Sequence, residues 1–263
     1  MTGTDLNSPL KRQSSAVNAL GLALPSVLLL AGLLLFWQAE CTTRGIPSWM
    51  LAKPSDIFLA LRDSFYETLP YVASTYSNIL IGFFLAVLIG LALAVLLTSF
   101  PLLSMAVTPI MVVLCCVPMV TLVPLLLVII GTGSVPKIIT IVIQCFALVN
   151  MNACVGFASV DPTRMELMQS LKASRSQQFL YCILPDALPH IFTGVKLASV
   201  LAMISGVSAE MSGGSGGLGN QISYLVSYSR TPEAFSCILY VAVLGLALYF
   251  AISLLERRLT RGR

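Results

Sequence analysis

The chain has 263 residues, of which 57% are hydrophobic and only 10% charged, with a formal net charge of +4. Soluble domains carry about 25% charged residues, so this composition excludes one and leaves an integral membrane protein; apolar residues run through nearly the whole length, without room for a separate soluble domain. The lysines and arginines stand at the ends of apolar runs instead of forming a face, which argues against a nucleic-acid partner and makes them topology determinants.

In chain order, a polar tail over 1–17 with Lys11 and Arg12 precedes an apolar run too long for a secretory signal, read as a retained anchor. With about 20 apolar residues needed per crossing, six spans are expected at 18–38, 70–97, 104–130, 137–158, 189–211 and 234–255. Between Glu67 and Lys137 lie 69 uncharged residues, enough for two crossings, with the turn at TSFPLLS around Pro101. Pro109, Pro118 and Pro124 punctuate the third span, and each removes a backbone donor and kinks or breaks a helix. Such breaks are tolerated only against protein or a water-filled cavity, so this span should line something or sit mid-bundle, and Pro118, Met119, Thr121 and Pro124 are candidate pathway residues. With the N-terminus inside, ten Lys/Arg fall on the cytoplasmic side and five (Arg44, Lys53, Arg62, Lys137, Arg230) on the other, which places both termini and the basic tail 257–263 inside.

One polar insert, 159–187, interrupts the apolar pattern between spans four and five. Asp161-Pro162-Thr163 reads as a helix start, with an N-cap acid, Pro at the first position and Glu166 early in the helix. Met165, Met168 and Leu171 then form a short apolar stripe, with Arg164, Gln169 and Lys172 pointing elsewhere. A second helical run over 176–183 leads to Leu184-Pro185, where Pro185 ends it or bends it into span five. By spacing alone, the first helix is either an interfacial element on lipid headgroups or a knob that fits a groove on a soluble partner.

Elsewhere the chemistry is sparse. The seven cysteines form no CxxC pair and read as packing residues; the single histidine, His190, reads as a polar residue at a helix start, and no metal cluster or catalytic triad is apparent. Gly214-x-Gly216-x-x-Gly219 matches the dinucleotide fingerprint formally but lacks the preceding strand, and the chain has no GxxxxGK[ST] loop for ATP. Glu210, at the outer end of span five before the glycines, lies at the water interface, caps the glycine-rich turn, or lines a pathway.

The insert resembles the "EAA" loop, EAA-x3-G-x9-I-x-LP, of the permease subunits of binding-protein-dependent ABC importers: Glu166, Leu184 and Pro185 match in register. "AKPSDIFLAL" (52–61), "VPMVTLVPLLLVIIGTGSVPKI" (117–138), "AEMSGGSGGLGNQI" (209–222) and "LLERRL" (254–259) are similar to further family landmarks in order, and the branch resembled serves nitrate, sulfonate, taurine and bicarbonate uptake, overlapping with riboflavin and thiamine-precursor transporters. Leu167 and Met168 replace the two alanines, Cys182 the isoleucine, and Lys172 a glycine that would permit a left-handed turn; the turn at Lys172 is therefore right-handed or strained.

The resemblance implies an all-α membrane protein with the type I ABC importer permease fold: six transmembrane helices over 18–256 and a cytoplasmic coupling helix. It implies a transport subunit instead of an enzyme, in a bacterial inner membrane, with Arg164, Met165, Glu166, Leu167, Met168, Gln169, Leu171, Lys172, Ala173 and Ser174 docking on an ATPase. The implied partners are two ATPase subunits, a second or sister permease, an external solute-binding protein and membrane lipid; no cofactor is held by this chain, and ATP and Mg belong to the ATPases. An ion-coupled secondary transporter would need midplane charges and often inverted repeats, and an intramembrane enzyme a catalytic pair; neither pattern is visible.

Overall fold

A computed structural model describes residues 8–213 and 216–260, with side chains from Leu24 onward. The side chains of Lys11 and Arg12, the glycine-rich positions 214–215 and the tail positions 261–263 lie outside the described residues. The described chain is helical: α1 (Ser8–Thr43), α2 (Pro54–Asp63), α3 (Phe65–Ser99), α4 (Pro101–Cys116), α5 (Met119–Ile130), α6 (Ser134–Ala158), α7 (Pro162–Ser170), α8 (Arg175–Gln178), a π turn over Phe179–Ile183, α9 (Leu184–Met211), α10 (Leu218–Ser227) and α11 (Thr231–Thr260).

Among the described residues, five segments are long and apolar enough to cross a membrane, namely Leu24–Thr43, α3, α6, Arg175–Met211 and α11. The expected third span, 104–130, is not one helix. Its two pieces, α4 and α5, meet at 94°. Pro118 sits at the break with extended backbone and has no N–H to continue α4, while Pro124 and Pro109 are carried inside the two pieces. At ~1.5 Å per residue neither piece covers a hydrocarbon core of ~30 Å alone, so a sixth crossing requires the bent pair to act as one span. The turn expected at Pro101 is present, Phe100 being the one residue between α3 and α4. α3 begins ahead of the expected 70–97 and carries Pro70 inside it, and the short helices α2 and α10 have no counterpart in the expected spans.

The core is the packing of α6 between α3 and α9. Gly82, Ala86, Gly90 and Ala94 recur every four residues on one face of α3 and are all buried; Gly194, Ala198, Ala202 and Gly206 do the same on α9. Lipid chains are as apolar as leucine, so helices in a membrane gain by close contact of backbones, and small residues permit it. The fit is tight: a Cβ on Gly82 would lie 2.8 Å from Cβ of Ile141, one on Gly90 2.7 Å from the carbonyl oxygen of Phe146, and one on Gly206 2.7 Å from Ile79. Two polar contacts use the same proximity: the Asn150 amide donates to the Gly90 carbonyl (3.3 Å), and the Cys145 thiol to that of Ala198 (3.3 Å). Cys41, Cys145, Cys182 and Cys237 are buried as packing residues, Cys115 and Cys154 half-buried, and Cys116 exposed.

Gly90→Ile, which drives a branched side chain into the α6 backbone, is expected to lower stability by about 1–3 kcal/mol. Thermal unfolding in detergent measures it, with Ile89→Ala, on the exposed face of the same turn, as the control that leaves the midpoint unchanged.

Candidate functional site: the EAA-like loop, the broken helix and a buried ion pair

α7 starts as the sequence predicts: Asp161 is the N-cap, its carboxylate accepts from the Thr163 N–H (2.9 Å), and Pro162 fills the first position. Glu166 falls one turn further in than an N-terminal dipole partner would. The apolar stripe is divided: Met165 and Met168 are half-buried, whereas Leu167 and Leu171 are 60% and 69% exposed, one turn apart on the outer face. Glu166, Gln169 and Lys172 are exposed beside them. Arg164 turns back toward the body, where its Nη1 meets both Asp186 oxygens at 2.9 and 3.0 Å.

The helix ends in a Schellman motif: the Ala173 N–H donates to the Met168 carbonyl (3.0 Å) and the Lys172 N–H to that of Gln169 (2.9 Å). Lys172 occupies the left-handed position with φ +53°, where glycine would be unstrained. The turn is therefore the strained one of the two alternatives. Ser174 then opens α8 with a capping box, its hydroxyl accepting from the Gln177 N–H (3.3 Å) and its own N–H donating to the Gln177 side chain (2.8 Å). Pro185 neither ends the following run nor kinks it sharply. It lies in the first turn of α9, and the π turn before it closes with the Leu184 N–H on the Phe179 carbonyl, a wide ring that accommodates a residue unable to donate. α8, the π turn and α9 thus run on as one helical segment.

The break between α4 and α5 walls a cavity of about 250 Å³, lined by Cys115, Pro118, Met119 and their neighbours, by Gln144 of α6, and by Leu201, Ile204, Ser205 and Ser208 of α9. Met119 is buried and Pro118 exposed. Thr121 and Pro124 are exposed on α5 outside that lining, Thr121 donating its hydroxyl to the Pro118 carbonyl (2.7 Å). The break thus stands across this cavity from an amide and two serines.

Glu210 is 1% exposed and faces into the bundle. One carboxylate oxygen accepts from the Thr75 hydroxyl (2.8 Å) and the Gly219 N–H (3.0 Å); the other lies 3.7 Å from the Lys137 Nζ. Lys137 is also buried, instead of flanking a span in water, and donates to the Gly216 carbonyl (3.0 Å), while Thr75 accepts from the Leu218 N–H (2.7 Å). One carboxylate thus ties α3, α6, α9 and α10, and of the readings open for Glu210 the geometry is that of a cap on the glycine-rich turn. Of the glycines that match the dinucleotide fingerprint, Gly219 receives it, its N–H pointing at a protein anion, and a Cβ on the neighbouring Gly217 (φ +96°) would overlap the carboxylate. Lys137 carried no such signal, because its partner is 73 residues away in sequence. His190 is exposed near the start of α9, and no cluster able to hold a metal occurs among the described residues.

Lys172→Gly is expected to raise stability by about 1 kcal/mol through relief of the left-handed strain, read as a higher unfolding midpoint in detergent. Lys137→Met is expected to cost about 3–5 kcal/mol, because it strands a buried carboxylate, and the Lys137→Met/Glu210→Gln double variant less than the sum of the singles; a double-mutant cycle by the same unfolding assay checks the coupling.

The profile of the "Binding-protein-dependent transport system inner membrane component" family matches residues 86–261. The chain is 29% identical over 238 residues to the taurine transport system permease protein TauC of Escherichia coli, covering 88% of this chain and 86% of that one. It is 32% identical over 265 residues to the riboflavin transport system permease protein RibX of Chloroflexus aurantiacus, covering 96% and 97%. In structure it resembles a chain of the MetNI methionine ABC transporter in an inward-facing conformation, with a TM-score of 0.64 at 20% identity over 75% of this chain and 98% of that one. A helical membrane bundle, a broken helix beside a cavity, an EAA-like loop and these matches agree: the chain belongs to the binding-protein-dependent ABC importer permease family and is a multi-pass permease component of such a transport system.

Proposed function

We propose that the chain forms one half of the translocation pathway of an ATP-driven importer for a small solute of the nitrate, sulfonate, taurine and bicarbonate kind, handed over by an external binding protein. In this reading the assembly has two permease halves, two ATPase subunits that hold ATP and Mg, and both termini in the cytoplasm of a bacterium, as the ten-to-five Lys/Arg split supports. The observation that carries the coupling role is the build of α7: a capped helix with Leu167 and Leu171 turned outward and Arg164 clamped to Asp186.

The mechanics follow from the connections. α6 leads into α7 through 159–161, and Arg164 joins α7 to the first turn of α9. Asp186 and Ser205 are 19 residues apart on α9, roughly 29 Å at ~1.5 Å per residue. A rigid-body push on α7 by closing ATPases therefore moves the helices that carry Gln144, Ser205 and Ser208, and the cavity at Pro118 and Met119 changes shape between them. Leu167 and Leu171 supply the apolar contact that transmits the push, and Glu166, Gln169 and Lys172 a polar rim. The taurine-type relative supports the sulfonate-like solute. The riboflavin-type relative supports a second reading, the same machinery importing a heterocycle or vitamin precursor.

Affinity purification of the tagged chain from its native membrane in mild detergent, followed by mass spectrometry, is expected to recover a Walker-motif ATPase in about one-to-one ratio. Leu167→Asp/Leu171→Asp, Glu166→Arg and deletion of 163–174 should each release it while the permease still inserts. Recovery of the chain alone from wild type, with ion-gradient-driven flux in vesicles, would overturn the importer mechanism.

A further inference from the structure

Two cavities adjoin where the end of α3 passes the start of α9. One, of about 390 Å³, is lined only by apolar side chains, among them Phe83, Val87, Leu91 and Val95 of α3, Phe192 of α9 and Ile252 of α11. The other, of about 600 Å³, shares Val95 and Phe179 with the first but has a polar mouth of Thr98, Ser99, Arg175, Ser176 and Gln178, with no carboxylate in its lining. Arg175 is exposed and forms no ion pair among the described residues. Together they make an apolar channel that opens on a cationic mouth beside the coupling loop.

The dimensions select the occupant. Phe83, Val87, Leu91 and Val95 follow one face of α3 at four-residue spacing, so the channel runs about 18 Å at ~1.5 Å per residue. That is close to one leaflet, half of a ~30 Å hydrocarbon core, and it stops there. A spanning helix of another subunit would need a groove of full depth. Water is ruled out of the deep part, because a stable buried water needs two to four polar partners. An arginine whose guanidinium fork matches phosphate oxygens stands at the mouth, beside Thr98 and Ser99, whose hydroxyls donate to the Ala94 and Val95 carbonyls (2.8 and 2.9 Å) and leave Arg175 as the charged donor there.

We propose that this paired cavity binds an anionic phospholipid of the leaflet on the α7 side, its phosphate on Arg175, one acyl chain along α3. Calling that leaflet cytoplasmic rests on the orientation proposed above. The lipid would fill the hollow behind the π turn, where α7 and α8 join α9, and brace the loop against the membrane.

The test uses the full-length chain in nanodiscs of equal phosphatidylglycerol and phosphatidylethanolamine, released for native mass spectrometry. Wild type is expected to keep one phosphatidylglycerol per chain in preference to phosphatidylethanolamine, and Arg175→Ala to keep about tenfold less, the loss of one charge-assisted phosphate contact. Val87→Trp, which fills the channel and leaves Arg175 in place, should lose the lipid as well; a photoreactive residue at position 87 gives the same answer without overpacking, by capturing phosphatidylglycerol. Undiminished retention by Arg175→Ala, or capture of a second copy of the chain at position 87, overturns the proposal. No ATPase or transport enters the measurement, so its outcome is separate from that of the importer reading.

Discussion

The structure depends on how closely α6 can approach α3 and α9. In water a helix bundle is driven together by expulsion of solvent from apolar side chains, but in lipid that drive is absent and association rests on dispersion, interhelical hydrogen bonds and fit. Two four-residue stripes of Gly and Ala supply the fit, and α6 answers them with branched or larger residues such as Ile141 and Val149. Because the three helices are in near-contact at their backbones, the bonds from Asn150 and Cys145 can reach main-chain carbonyls across the interface. Everything else hangs on this slab: the bent α4–α5 pair against α6, α10 and α11 against α9, and the loop at the far end of α6.

At the end of the slab away from α7, the Glu210 and Lys137 pair locks the same helices by a different force. A buried ion pair is weak evidence for net stability, since desolvation cancels much of the attraction. Its value here is geometric. Glu210 accepts from a hydroxyl and a backbone amide while Lys137 holds a carbonyl, so the glycine-rich segment and α10 have one seat on the bundle. α9 is thus pinned near its Glu210 end and tied to α7 near its start by the Arg164 and Asp186 pair.

Legibility in the sequence followed the range of the interactions. Asp161-Pro162 announced the start of α7 because capping is local, and the run of prolines announced trouble in the third span because each removes a donor wherever it stands. The 94° angle was not legible, since Pro109 and Pro124 are absorbed inside helices and only Pro118 coincides with the break. The division of the α7 stripe also escaped the pattern: spacing puts Met165, Met168 and Leu171 on one side, but the body they face covers just the first two. The Lys137 to Glu210 and Arg164 to Asp186 pairs join residues far apart in sequence, and charge alone made Lys137 a topology marker. The Lys172 turn was legible as a choice between two conformations, and the fold takes the left-handed one because both Schellman hydrogen bonds require it.

The π turn over Phe179–Ile183 sets how the loop joins α9. A π turn is an α-helix carrying one extra residue, so the segment from Arg175 into α9 holds a built-in insertion. Removing that residue would restore regular helix and leave the segment upstream in nearly the same register, because the wide turn absorbs the insertion locally. Arg164 would stay within reach of Asp186 and the leucine pair on α7 would keep its direction, whereas removing a residue from the regular helix of α9 between the π turn and the bundle would turn everything upstream by about 100° around the helix axis. The π turn is thus a slack link, the one place in the segment where the spacing between Glu166 and Leu184-Pro185 can change by a residue without re-aiming the loop.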